Sequence, residues 1–217
     1  MIWAIKEDER VKAQPKQRAI CPLCDKEVIA KCGSIKIWHW AHKKDFVCDS
    51  FGEPETDWHL NWKDNWNKEC QEVIVYGCDC ISCPVYNKKC LHDHSSSICE
   101  EIKHRADIKT ERIVIELQNT PLPLEKMKDR ERFYGFQMIW ILNGKTIAKN
   151  FRLKKWEKYY EWKYIQTWKN VSNRVYIDKG KYLYLIYGSP DSKGTCSKLS
   201  KDAFIVEYGG NPFKNDK

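Results

Sequence analysis

The sequence predicts an α/β protein: a mixed sheet flanked by helices, with a small zinc-binding unit ahead of it. Three observations lead there. Cys21-x-x-Cys24 and His39-x-x-His42 stand close together near the start of the chain. Beyond them, helix and strand signals follow in the order helix, strand, strand, strand, helix, strand, which is a mixed α/β pattern. Of 217 residues, 42% are hydrophobic and 31% charged, which suits a globular chain with a buried core.

The first unit is expected over residues 1–51. A Cys-x-x-Cys knuckle sets two thiolates at a spacing one tetrahedral ion can bridge, and a His-x-x-His pair completes four ligands. Cys21, Cys24, His39 and His42 are thus the expected zinc ligands. The residues between the pairs read as a short hairpin with Gly33 near its turn. So small a unit has little core, and the metal would supply much of its folding energy. Cys32 and Cys48 are further thiols nearby, and either can replace a histidine. The alternative is two reduced cysteines and two surface histidines.

Residues 52–150 form the second stretch. Glu55 to Lys68 reads as a helix, because Trp58, Trp62 and Trp66 recur every four residues. Glu55, His59 and Lys63 recur likewise, as an adjacent stripe. Gln71 to Tyr76 reads as a strand. An insertion over residues 77–100 then carries Cys78, Cys80, Cys83, Cys90, His92, His94 and Cys99, a possible second zinc site or a loop of reduced thiols. Asp107 to Lys109 and Glu111 to Leu117 read as a hairpin, Leu124 to Phe136 as a helix, and Gln137 to Leu142 as a buried strand ended by Asn143-Gly144.

The third stretch is 151–217. Lys154 to Lys169 reads as a helix bearing Trp156, Tyr159, Tyr160 and Lys163. Its aromatic stripe packs on the core, or stacks on nucleic acid bases among the lysines. Val175 to Asp178, Lys181 to Tyr187 and Ala203 to Tyr208 read as strands.

Charge and composition narrow the function. Lys and Arg number 38 against 30 Asp and Glu, a net +8, which favours an anionic partner such as nucleic acid. Ten Trp, eleven Tyr and seven Phe argue against disorder. Eleven cysteines cannot all pair within one chain. No apolar run reaches the roughly 18 residues of a membrane span, and the first residues lack the apolar core of a signal peptide. A cytoplasmic, reducing setting with metal-bound cysteines is the expectation.

The chemistry centres on carboxylates. In Ile113-Val114-Ile115-Glu116-Leu117-Gln118 side chains alternate, so Val114, Glu116 and Gln118 share a face. A carboxylate in so apolar a strand needs a cation. An antiparallel neighbour can set Asp107 beside Glu116, and two such acids suit Mg²⁺ or Mn²⁺. Glu55 is the candidate third acid, with His59 and Lys63 on its stripe. The alternative is an amphipathic hairpin with solvent-facing acids.

These segments together resemble the competence protein CoiA-like family, of the PD-(D/E)xK nuclease superfamily. The resemblance rests on Glu55-Thr-Asp-Trp-His59-Leu-Asn-Trp-Lys63, HRADI around Asp107, VIELQNT around Glu116, Arg132-Phe-Tyr134 and MIWIL. CPLC and HWAH resemble the zinc-finger-like region that precedes the core in many members. It implies a restriction-endonuclease-like core and metal-dependent DNA hydrolysis, endonucleolytic or exonucleolytic. The expected substrate is branched or single-stranded DNA in recombination or DNA processing, the link the family name suggests, and phage or host proteins are equally open as partners. Asp107 and Glu116 would hold Mg²⁺ or Mn²⁺. Gln118 stands where the superfamily more often has Lys, as is usual in this branch, with Lys63 the candidate replacement and Glu55 and His59 completing the site. Arg105, Arg130 and Arg132 are candidate phosphate contacts, the last two equally readable as solvated helix charges. The competing reading is a non-catalytic, zinc-containing nucleic-acid-binding protein on a nuclease-like scaffold.

Overall fold

The computed structural model describes residues 1–43, 46–78, 101–163, 167–187 and 192–212, with side chains of Cys78 and Glu101 excepted. The chain divides into two compact units. Unit 1 is Met1–Lys63 with Gln71–Ala106, and unit 2 is Asp64–Cys70 with Asp107–Lys217.

Unit 1 opens with a five-stranded antiparallel sheet in the order β2-β1-β3-β4-β5. Its strands are β1 (Trp3–Lys6), β2 (Glu9–Lys12), β3 (Arg18–Ile20), β4 (Glu27–Lys31) and β5 (His39–Ala41). Glu7 and Asp8 both hold positive φ, 52° and 64°, in the two-residue β1–β2 turn, the twist that closes a tight hairpin. One small core of Ala4, Ala13, Ala19, Cys21, Leu23, Val28 and Trp40 backs this sheet. The lead before Cys21, which carries no strong strand pattern, therefore supplies three strands. Unit 1 continues with α1 (Asp57–Lys63), β6 (Gln71–Cys78) and most of β7 (Glu101–Lys109), which lies next to β6.

The helix expected over Glu55 to Lys68 is thus confined to Asp57–Lys63. Tertiary bonding ends it. The Asn65 carbonyl accepts from Asn211 N–H at 2.7 Å, and the Trp66 indole donates to the Tyr208 carbonyl at 3.0 Å, so these residues serve unit 2 instead of a further helical turn.

Unit 2 is built on a mixed sheet. Its elements are β8 (Val114–Gln118), α2 (Leu124–Tyr134), β9 (Met138–Asn143), β10 (Phe151–Lys154), β11 (Tyr159–Trp162), β12 (Arg174–Asp178), β13 (Tyr182–Tyr187), β14 (Lys193–Ser200) and α3 (Lys201–Glu207). The sheet order is β10-β11-β14-β13-β12-β9-β8, with the end of β7 beyond β8. β8, β9 and β12 are parallel, and every residue of β8 and β9 is buried. Continuous apolar runs suit such doubly covered strands. α2 is the crossover between the parallel pair β8 and β9, and buries Met127, Arg130, Glu131 and Tyr134, one helical face. Glu131 ties that face down by accepting from the Trp140 indole at 3.1 Å and from the Ser172 and Asn173 amides at 2.8 and 3.0 Å.

Two C-terminal expectations are corrected. Lys154 to Lys169 is not a helix: β10 and β11 form a hairpin pairing Phe151 with Trp162 and Lys154 with Tyr159. Alternation decides it, since Phe151, Tyr160 and Trp162 are buried while Arg152, Lys154 and Tyr159 are exposed. Ala203 to Tyr208 is not a strand but most of α3. Ser200 caps its start by accepting from Ala203 N–H at 3.1 Å. Gly209, at φ 78°, and Gly210 close it by donating to Val206 and Ile205 carbonyls, a Schellman end. Among the described residues, no helix is long and apolar enough to cross a membrane.

Candidate functional site

Unit 1 carries a metal-binding cluster. Cys21, Cys24, His42 and Cys48 present ligand atoms that all lie within 4.8 Å of one another. Cys21 and Cys24 occupy the turn between β3 and β4, where Cys21 N–H donates to the Lys26 carbonyl and Asp25 N–H to the Cys21 carbonyl. This backbone turn points both thiols to one side. Cys21 Sγ is 3.9 Å from Cys48 Sγ, and Cys24 Sγ is 3.2 Å from His42 Nε2. A tetrahedral Zn²⁺ with bonds of about 2.3 Å to sulfur and about 2.0–2.1 Å to nitrogen requires edges of about 3.5–3.8 Å, so the donor set fits zinc.

Burial, then the other cysteines, pushes the Cys48 thiol up to about 12, and burial raises Cys21 also. Clustered thiols resist ionising together unless a cation joins them. Burial, followed by Arg105, lowers the His42 imidazole, which favours the neutral form a metal takes.

His39 is not in this cluster, and Cys48 takes the fourth place. Trp40 points into the core, so the alternating β5 backbone turns His39 the other way, and its Nδ1 sits 2.8 Å from the Ile37 carbonyl. His42 lies one residue past the strand and escapes that alternation. Cys78 to Cys99, the expected second cluster, lies outside the residues whose side chains are described.

Unit 1 also holds Glu55, His59 and Lys63. Lys63 Nζ, with its side chain 2% exposed, reaches Glu55 Oε1 at 2.8 Å and Glu72 Oε1 at 3.2 Å. His59 accepts from Thr56 N–H at Nδ1, which leaves the Nε2 proton for Glu53 Oε1 at 2.8 Å. Glu72 accepts from the Ile2 and Trp3 amides at 2.9 and 3.0 Å, fastening β1. Burial opposes the Glu72 charge, but Lys63 and Arg105 outweigh it and hold the carboxyl well below its usual range. Asp49 accepts from Arg105 N–H at 3.1 Å and lies 2.9 Å from His104 Nδ1. Arg105 therefore faces the acids Glu72, Asp49 and Glu55, and despite burial its guanidinium is raised further above its usual value. Glu72 and Asp49 are absent from any sequence motif; only the cost of a buried Lys63 hints that such acids must exist.

Unit 2 brings Asp107, Glu116, Gln118 and Arg130 together. β7 and β8 pair antiparallel through Lys109↔Val114 and Ile108↔Ile115. One step further, side chains take over the bonding. Asp107 N–H donates to Glu116 Oε1 at 3.4 Å, and Leu117 N–H donates to Asp107 Oδ2 at 3.0 Å. The two acids thus face each other where backbone pairing stops.

Glu116 is 2% exposed and Arg130 3%, with Arg130 NH1 3.2 Å from Glu116 Oε2. The same NH1 donates to Gln118 Oε1 at 3.1 Å, while Gln118 Nε2 donates to the Thr120 carbonyl at 2.9 Å. Arg130 also lies over the Trp140 ring at 5.7 Å. Its place on the Met127–Arg130–Glu131–Tyr134 face was legible in the helical spacing. Arg132 lies off that face, 65% exposed, and pairs with Asp129 at 2.8 Å.

Fold and sites together define a nuclease-like α/β protein with a small Cys/His metal-binding unit at its N-terminal end. Residues 3–51 match the competence protein CoiA N-terminal domain, and residues 88–190 match the CoiA nuclease-like domain. The chain belongs to the CoiA-like family. No curated protein and no solved structure matches it.

Proposed function

We propose that the chain is a Mg²⁺- or Mn²⁺-dependent deoxyribonuclease. The observation that supports this most is the facing pair Asp107 and Glu116 at the end of the β7–β8 pairing, within a nuclease-like domain. Mg²⁺ commonly takes one or two carboxylates and keeps several waters, so two acids are a sufficient donor set. A bound divalent ion supplies Lewis acidity and lowers the pKa of a coordinated water. In the reaction, water attacks phosphorus, the P–O bond to one deoxyribose breaks, and the leaving alkoxide takes a proton.

Arg130 supplies a permanent positive charge beside Glu116, offsetting the carboxylate that β8 carries into a buried strand. Gln118 neither gives nor takes a proton, so its role is to hydrogen bond, with its amide oriented by Arg130 and Thr120. Zn²⁺ at Cys21, Cys24, His42 and Cys48 has a structural role, since four protein ligands leave no open position for chemistry.

One observation favours the competing reading of a binding scaffold. Glu116 and Gln118 both already have Arg130 as a partner. The readings part on cleavage of single-stranded, duplex and branched DNA with added Mg²⁺ or Mn²⁺. We expect metal-dependent cutting that falls to background in Asp107→Ala and Glu116→Gln. Salt-dependent binding with no cutting by the parent would leave the scaffold reading. A chelator alone is a poor control, because it would also strip the Cys/His site.

A further inference from the structure

β10, β11 and β14 present one exposed face that the proposed hydrolysis does not use. Alternation puts Phe151, Tyr160 and Trp162 into the core and leaves Arg152, Lys154, Tyr159 and Lys193 outside. At the tip, Lys155, Trp156 and Glu157 all hold positive φ, 44°, 54° and 63°, a conformation costly for side-chain-bearing residues. This turn leaves Trp156 94% exposed, beside Tyr159 at 46%. An indole so exposed contributes nothing to the core, and both of its faces are open to stack with a planar ligand.

The charge around these rings points to that partner's chemistry. Arg152, Lys154, Lys155, Lys158, Lys163 and Lys193 are all exposed, against the two acids Glu157 and Glu161. Lys154 and Lys193 both reach Glu161, at 3.4 and 3.1 Å, which leaves that trio net positive. Two hollows of about 670 and 600 Å³ share Glu161 and Lys193. The first opens beside Lys155 and Tyr159, the second beside Arg152 and Lys163.

We infer that this face binds single-stranded DNA, with bases stacked on Trp156 and Tyr159 and phosphates held by the surrounding lysines and Arg152. Protruding rings need open base faces, which a single strand offers and an intact duplex keeps stacked. Only the choice of DNA over RNA rests on the nuclease reading.

The test is fluorescence anisotropy with the full chain in magnesium-free buffer, where no cleavage is required. The probe is a labelled oligothymidylate of roughly 20 nucleotides, longer than the 4–16-nucleotide sites typical of such surfaces. A blunt duplex, an oligouridylate and vesicles rich in anionic lipid run beside it. We expect the DNA strand to bind more tightly than the duplex. Trp156→Ala should weaken it about tenfold, and Trp156→Phe should retain most of the affinity. Lys155→Gln with Lys163→Gln should flatten the slope of log affinity against log salt by about 1.4.

Unchanged affinity in Trp156→Ala would overturn the inference, and so would a preference for duplex or for vesicles. Cleavage by the parent, assayed separately with added Mg²⁺, keeps this result apart from the nuclease reading. Trp156-dependent binding by a parent that cuts nothing would refute the nuclease and leave this surface standing.

Discussion

The buried pair Arg130–Glu116 sets a quantitative expectation. Replacing Arg130 by Met keeps much of its length and removes its charge. Glu116, at 2% exposure, then keeps a carboxylate whose 3.2 Å partner is gone, and Gln118 Oε1 loses its 3.1 Å donor. Breaking a buried ion pair from one side costs about 3–5 kcal/mol, because a charge is left without compensation. For a unit of this size that is a fall in Tm of roughly 10–20 °C. Glu116→Gln alone removes the anion beside the buried Arg130 guanidinium and should cost a similar amount. The double variant removes both charges and should return to within about 1–2 kcal/mol of the parent, because volume-matched neutral replacements of a buried pair are often tolerated. The assay is calorimetric melting in magnesium-free buffer without chelator, so that the Cys/His site stays loaded. A shift under about 3 °C in Arg130→Met, or additive losses in the double variant, would refute the reasoning.

Two further outcomes are expected. Cys48→Ala should lose stoichiometric zinc in elemental analysis and lower the melting temperature of unit 1, whereas His39→Ala should keep its zinc, since among the described residues Cys48, and not His39, stands with Cys21, Cys24 and His42. Unit 1 should also be acid-sensitive through Glu72 and Asp49, whose folded pKa values lie below their ordinary values of 4.5 and 3.8. A depressed carboxyl contributes stability that is present above its unfolded pKa and lost as pH falls through the folded one. Stability should therefore drop below about pH 4.5, and Glu72→Gln, weaker at neutral pH, should show a flatter acid limb in urea titrations between pH 6 and 3.

What was legible in the sequence follows from how local each signal is. Gln137 to Leu142 announces a buried strand because its apolar run is nearly continuous, whereas Val114 to Gln118 shows a strand only by alternation, its full burial depending on Arg130, which meets Glu116 and Gln118 from another element. The Cys21-x-x-Cys24 knuckle is local too, and it survives intact. The fourth ligand is not local. Spacing favours His39, with Cys32 and Cys48 as thiols able to replace a histidine, and it is the direction of β5, set by the Trp40 side of the core, that turns His39 away. The β10–β11 hairpin is hard to see in the sequence because its lysines and aromatics fit a helical stripe as well as a strand. Its true period of two shows only when Phe151-Arg152-Leu153-Lys154 is set beside Tyr159-Tyr160-Glu161-Trp162. The α3 helix had a Ser200 cap and a Gly209-Gly210 stop in plain view, and its apolar run outweighed them. The early end of α1 left no local trace, because the bonds that end it come from residues 208 and 211.

Gln118 poses the remaining chemical question, since it occupies the place where a lysine would bring a positive charge to the acids. Within unit 2 the charge arrives from another element. α2 crosses back over β8 and sets the Arg130 guanidinium against Glu116 and Gln118 at once. A lysine at 118 would bring a second cation to a buried neighbourhood that already holds one. An amide there instead accepts from Arg130 and donates to Thr120, which fixes the guanidinium's position without adding charge. An arginine remains charged at any working pH, so a cation supplied this way cannot serve as an acid or base. Among these unit 2 residues, proton transfer in the proposed hydrolysis then falls to the Asp107–Glu116 pair and the attacking water. On this argument Gln118→Lys should not improve cleavage. It should destabilise unit 2 through repulsion from Arg130, and a variant that cuts faster at unchanged stability would refute the argument by showing that the chemistry needs a titratable cation for which Arg130 is no substitute.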